Sequence, residues 1–135
     1  MNWKRIAGCS ALIFLAMNIV GFGSGLTMNY WQIYGSTIET AIENARHVRR
    51  LGYFVVAALL YWRFAVGVAK HQLLHVAAVF VSLLAINFAF ELAVYRSIEF
   101  DPWALARGVG AALVGYALAT WLPRRSRKPA ALDYT

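Results

Sequence analysis

Four apolar segments, each about 20 residues long, follow one another through this chain: Ile6–Met28, Leu51–Ala69, Leu73–Tyr95 and Trp103–Leu122. A helix of about 20 residues crosses the roughly 30 Å hydrocarbon core of a bilayer. Four such segments within 135 residues leave little chain for a soluble domain. The expected fold is all-α: a single integral membrane domain over 1–135, built as a four-helix bundle. A short amphipathic outer helix is expected over 36–50, and a disordered basic tail over 123–135.

Composition and charge agree. Hydrophobic residues make up 61% of the chain and charged residues 14%, against about 25% charged in soluble domains. The net charge of +7 suggests nucleic acid at first. The basic residues sit at segment ends, however, and not on one basic face, which excludes nucleic acid and makes membrane lipids the expected partners. With the N-terminus in the cytoplasm, Lys4, Arg5, Arg63, Lys70, Arg124, Arg125, Arg127 and Lys128 lie inside, while Arg46, Arg49, Arg50, Arg96 and Arg107 lie outside. That bias places both termini in the cytoplasm of a multi-pass inner-membrane protein.

The apolar run after Lys4-Arg5 is longer than the 7–15 residues of a signal-peptide core, so the first segment reads as a retained signal-anchor helix. Ile6-Ala7-Gly8-Cys9 resembles a bacterial lipoprotein box but follows too few residues to act as one. A single cysteine excludes an internal disulfide and a Cys-x-x-Cys oxidoreductase.

The long connection Asn29–Arg50 begins with an aromatic stretch, Tyr30, Trp31 and Tyr34, suited to the headgroup layer. After Gly35, Ser36 and Glu39 form a capping-box pattern. Ile38, Ala41, Ile42, Ala45 and Val48 then recur at helical spacing. This outer helix offers a docking surface of Ile38, Glu39, Ile42, Glu43 and Arg46. It either continues into the second span or turns near Gly52. Asp101, Pro102 and Trp103 mark the start of the fourth helix.

Polar groups within apolar spans are the first candidates for function. Glu91 and Arg107 fall at similar depth on consecutive antiparallel helices, so they are expected to form a buried ion pair, with Asn87 one turn from Glu91 on the same face. Asn18 is expected to hydrogen-bond between helices. Gly21-x-x-x-Gly25, Gly108-x-x-x-Ala112 and the further small residue Gly115 are expected to pack helices closely. His71 and His75, spaced i, i+4, are a weak candidate for metal binding. No nucleophile–base set, carboxylate pair or phosphate loop is visible, and no cofactor is expected.

The expected function is therefore non-catalytic. The chain reads as an accessory subunit of a membrane complex, or as an immunity-type protein that neutralises a membrane-active partner. It would bind another membrane protein or itself. The alternative is a small homo-oligomeric transporter or channel that uses intramembrane Glu91. In size and in holding such a glutamate, the chain is similar to compact four-helix multidrug exporters. In that family the essential glutamate lies in the first helix, where this chain has no acidic residue. Reporter fusions active only outside the cytoplasm are expected to be active at Ile42 and near Ile98, and silent after Lys128. The opposite pattern would reverse the topology.

Overall fold

The computed structural model describes residues 3–68, 70–96 and 101–122. The basic tail 123–135 and residues 97–100 of the last connection lie outside the described residues. Every element is an α-helix: α1 (Trp3–Ile33), α2 (Ile38–Val66), α3 (Gln72–Tyr95) and α4 (Pro102–Trp121). Three of them, α1, α3 and α4, are long and apolar enough to cross a membrane. α2 falls short because every 18-residue stretch within it holds Arg49, Arg50 and either Arg46 or Arg63.

Local chemistry sets the helix ends. α1 runs out into a turn at Gly35, whose φ of +87° favours glycine. The N-cap of α2 is Thr37, one residue beyond the expected Ser36; its hydroxyl accepts from the Thr40 N–H. Asp101 caps α4 by accepting from the Trp103 N–H at 2.9 Å, and Pro102 occupies the first helical position. The outer helix expected over 36–50 is not a separate element. It and the span from Leu51 form one continuous α2, because no proline intervenes and Gly52 stays helical. Gly52 sits so close to α1 that a Cβ there would lie 2.6 Å from the Val20 side chain. Ala41 and Ala45 of the expected stripe are buried, whereas Ile38 and Ile42 are exposed.

α2 is the central element. It packs along α1 on one side and α4 on the other; α3 packs along α1, with lighter contact to α4 and α2. Small residues permit the α2–α4 seam. A Cβ at Gly115 would lie 2.6 Å from the Ala58 carbonyl oxygen and 2.8 Å from the Trp62 nitrogen, so the backbones meet there. Ala111, Ala112 and Ala119 continue the seam and are buried. Below it, Ile6, Ile13, Tyr61 and Val79 are almost fully buried and close that half of the molecule.

The carbonyls at the end of α2 would be orphaned without side-chain donors. Arg5 donates to the Gly67 carbonyl at 2.7 Å with its guanidinium over the Phe64 ring. The Gln72 amide donates to the Ala65 and Val68 carbonyls. These bonds tie α1, α2 and α3 together at one end. Because Ser10 of α1 lies level with Val79 of α3, the α1–α2 hairpin turns only after α1 has run past the end of α3 by more than a helical turn. Its tip exposes Tyr30, Ile33, Tyr34 and Ile38.

Two glycine substitutions test this packing. Gly115→Val drives methyl groups into backbone atoms that cannot rotate away, and is expected to cost about 3 kcal/mol in detergent unfolding followed by circular dichroism. A Cβ at Gly25 would meet nothing within 4 Å, so Gly25→Ala is expected to be neutral or to stabilise by up to about 1 kcal/mol.

Candidate functional site

The half of the molecule opposite the Arg5–Gly67 contact is not filled. A cavity of ≈ 530 Å³ lies among all four helices there, within the roughly 300–1,000 Å³ range of small-molecule sites. Gly108 and Ala111 of α4 are on its lining. At Gly108 a Cβ would already lie 2.9 Å from the Phe80 ring. The walls are apolar, with Phe14 and Met17 from α1, Phe54 from α2, and Phe80, Leu83 and Leu84 from α3. Phe14 meets Phe90 edge-on at 5.4 Å between ring centroids, bridging α1 and α3 beside the cavity.

Polar groups gather toward the α3–α4 end. Arg46, Arg49 and Arg50 line the cavity from α2 and are exposed. Their i, i+3, i+4 spacing sets them on one helix face. Glu91 and Asn87 line it from α3, Asp101 and Arg107 from α4, and Asn18 from α1. Among the described residues, the lining contains no serine, threonine, cysteine or histidine, and so no hydroxyl, thiol or imidazole nucleophile apart from the tyrosines.

The expected Glu91–Arg107 ion pair is not formed. Arg107 pairs instead with Asp101, at 3.4 Å across an exposed face. Asp101 begins the same helix six residues earlier, so Arg107 reaches its carboxylate without crossing to α3, with which α4 has only light contact. Glu91 consequently keeps one carboxylate oxygen, Oε2, buried without a hydrogen bond. Two other buried polar atoms share that condition among the described residues, Tyr61 Oη and Trp62 Nε1. Both belong to the α2 segment in the packed half.

Asn18 does not join helices: its amide donates to the Phe14 carbonyl one turn back on α1. Ser10 makes the link expected of Asn18. Its buried hydroxyl lies 2.9 Å from the Ile6 carbonyl and 3.1 Å from the Val79 carbonyl of α3, sharing one hydrogen between them. Gly21 meets the Tyr53 hydroxyl, while Gly25 faces open space, so that motif packs through one glycine only. On the outer part of α2, Glu39, Glu43 and Arg46 are exposed, and Glu43 lies 3.7 Å from His47. His75 Nδ1 lies 3.0 Å from the His71 carbonyl, within one helical turn. Among the described residues, no three His, Cys, Asp or Glu side chains gather as a metal site.

Sequence reasoning missed Arg49 and Arg50 as site residues, having counted them only among the basic residues on the outer side. Their spacing with Arg46, directly before an apolar run, was the available signal. Phe80 and Leu84 carried no signal, since nothing distinguishes them from other apolar residues of α3. No protein-family model, curated protein or solved structure matches the chain.

A double-mutant cycle checks the charge arrangement. Arg107→Leu removes an exposed pair and is expected to cost less than about 1 kcal/mol. Glu91→Leu removes a buried oxygen without a partner and is expected to be neutral or stabilising. The double mutant should equal the sum within about 0.5 kcal/mol. A larger coupling would mean that the two side chains do meet.

Proposed function

We propose that this chain is a small multi-pass inner-membrane protein that acts by binding and not by catalysis, with the cavity as the seat of its ligand. Both termini lie in the cytoplasm and the α1–α2 hairpin tip lies outside, following the distribution of basic residues. All four helices serve as spans. α2 tolerates its arginines because α1 and α4 flank it and because Arg46, Arg49 and Arg50 border the cavity; charged groups in membrane spans characteristically face such interiors. The protein belongs to the accessory type, holding a bound molecule within a larger membrane complex or offering its exposed tip to a partner.

One observation carries the reading: an apolar-walled cavity lined by three exposed arginines, with no hydroxyl, thiol or imidazole beyond tyrosine among its described residues. Apolar walls with a few placed polar groups suit recognition of a small molecule. The residues that could serve acid–base chemistry are few, since Asp101 is engaged with Arg107 and with the α4 N-terminus.

A proton-coupled transporter is the second reading, favoured by Glu91, which lines the cavity and holds a buried carboxylate oxygen without a hydrogen bond. Against it, the other half of the bundle is closed by Ile6, Ile13, Tyr61 and Val79, and a conduction path would have to open there.

Two measurements separate the readings. In proteoliposomes under a pH gradient, the wild type and Glu91→Gln are expected to show the same background proton flux; flux that depends on Glu91 would establish the transporter. Leu84→Trp fills the cavity, and is expected to reduce retained lipid several-fold by native mass spectrometry while leaving the helical circular dichroism unchanged. Unaltered retention would overturn the cavity as the ligand seat.

A further inference from the structure

The cavity presents two unmet electrostatic demands at once. Arg46, Arg49 and Arg50 line it on one face of α2, and none of the three forms an ion pair with a described residue. Guanidinium groups pair with phosphate through parallel N–H···O bonds, so this face calls for a phosphate. Glu91 lines the cavity from α3, and its carboxylate, one oxygen of which is buried, has no hydrogen bond or ion pair with a described residue. A buried acceptor is costly until it receives a hydrogen bond. The remaining walls, of Phe54, Phe80 and Leu84 among others, call for hydrocarbon.

These demands discriminate among ligand classes. A fatty acid would satisfy the arginines and the walls but bring no donor to Glu91. A lipophilic cation would satisfy Glu91 and meet the arginines with like charge. Inorganic phosphate would leave the apolar walls uncovered. A phospholipid whose head carries both a phosphate and a primary ammonium meets all three: phosphate to the arginines, N–H donors to Glu91, acyl chain along the walls. Asn87, one turn from Glu91 on the same cavity lining, offers a further amide to the head.

We propose that the cavity is a phospholipid site selective for a primary-ammonium head, with Arg46, Arg49 and Arg50 holding the phosphate and Glu91 holding the ammonium. The proposal rests on the cavity-binding reading above and adds the identity of the occupant. It commits to the surrounding bilayer as the source.

The test uses the full chain in detergent and native mass spectrometry. The probes are phosphatidylethanolamine and phosphatidylcholine with identical acyl chains, and inorganic phosphate. The two lipids share phosphate, charge and chains, and differ in that only the first carries N–H donors on its head. The wild type is expected to prefer phosphatidylethanolamine by about tenfold, the discrimination that one charge-assisted hydrogen bond supplies. Glu91→Leu is expected to bring the ratio near one, and Glu91→Gln, which keeps the side-chain size, to reduce it. Arg49→Gln combined with Arg50→Gln should weaken both lipids alike and leave the ratio in place. Arg63→Gln, a basic residue outside the cavity lining, should change nothing. Equal binding of the two lipids by the wild type, or a preference that survives Glu91→Leu, overturns the head assignment while leaving a lipid-binding cavity. Binding of neither lipid, or of inorganic phosphate alone, overturns both that assignment and the cavity-binding reading.

Discussion

The approach of α4 to the backbone of α2 at Gly115 governs the arrangement of the whole chain. A side chain at that position would occupy the space of the Ala58 carbonyl and the Trp62 nitrogen, so glycine sets the distance between the two helices. Alanines on either side let the seam run the length of α4. Once α4 is held there, α2 has a helix on each flank and becomes the centre of the molecule, while α3 is left to pack mainly on α1. The cavity lies among all four helices, with Ala111 of the seam on its lining.

The same geometry explains how a helix with the charge pattern of α2 fits among three strongly apolar ones. Its lower half turns Ala57, Ala58, Tyr61, Phe64 and Ala65 inward, and its end is completed by donors from Arg5 and Gln72. Its upper half brings arginines to the cavity lining. Each half thus has a use for the residues it carries, and together they divide the molecule into a packed end and an open one. The Arg5 and Gln72 bonds satisfy helix-end carbonyls that would otherwise lack partners, and so belong to the fold as much as the apolar core does.

Much of the helical architecture was legible in the chain itself. Asp101 followed by Pro102 announces the start of α4, and Gly35 marks the break between the first two helices, because N-capping and positive φ depend on local backbone chemistry. The small residues of α4 pointed to a close-packed helix, though not to which partner it would meet. The outer amphipathic pattern was also visible, but whether it formed its own helix or the first turns of α2 depended on Gly52, which packs on Val20 within an uninterrupted helix. The pairing of Glu91 with Arg107 was inferred from depth alone. Depth says nothing of lateral position, and a carboxylate on the same helix, Asp101, was the nearer partner.

The chain by itself did not determine that α1 runs on to Ile33 or that α2 begins at Ile38. It determined the apolar segments around which the four helices form, the starts of α3 and α4, and the presence of costly polar groups in apolar surroundings. These follow from hydrophobic length and from interactions within a few residues of one another. The three-dimensional structure alone decided that Ser10 and not Asn18 bridges two helices, that Arg46, Arg49 and Arg50 share a cavity lining with Glu91, and that Glu91 Oε2 is buried without a hydrogen bond. Those outcomes depend on the rotation and lateral order of the helices. Both are set by contacts between residues far apart in the chain, such as Gly115 against Ala58, and helical periodicity carries no record of them.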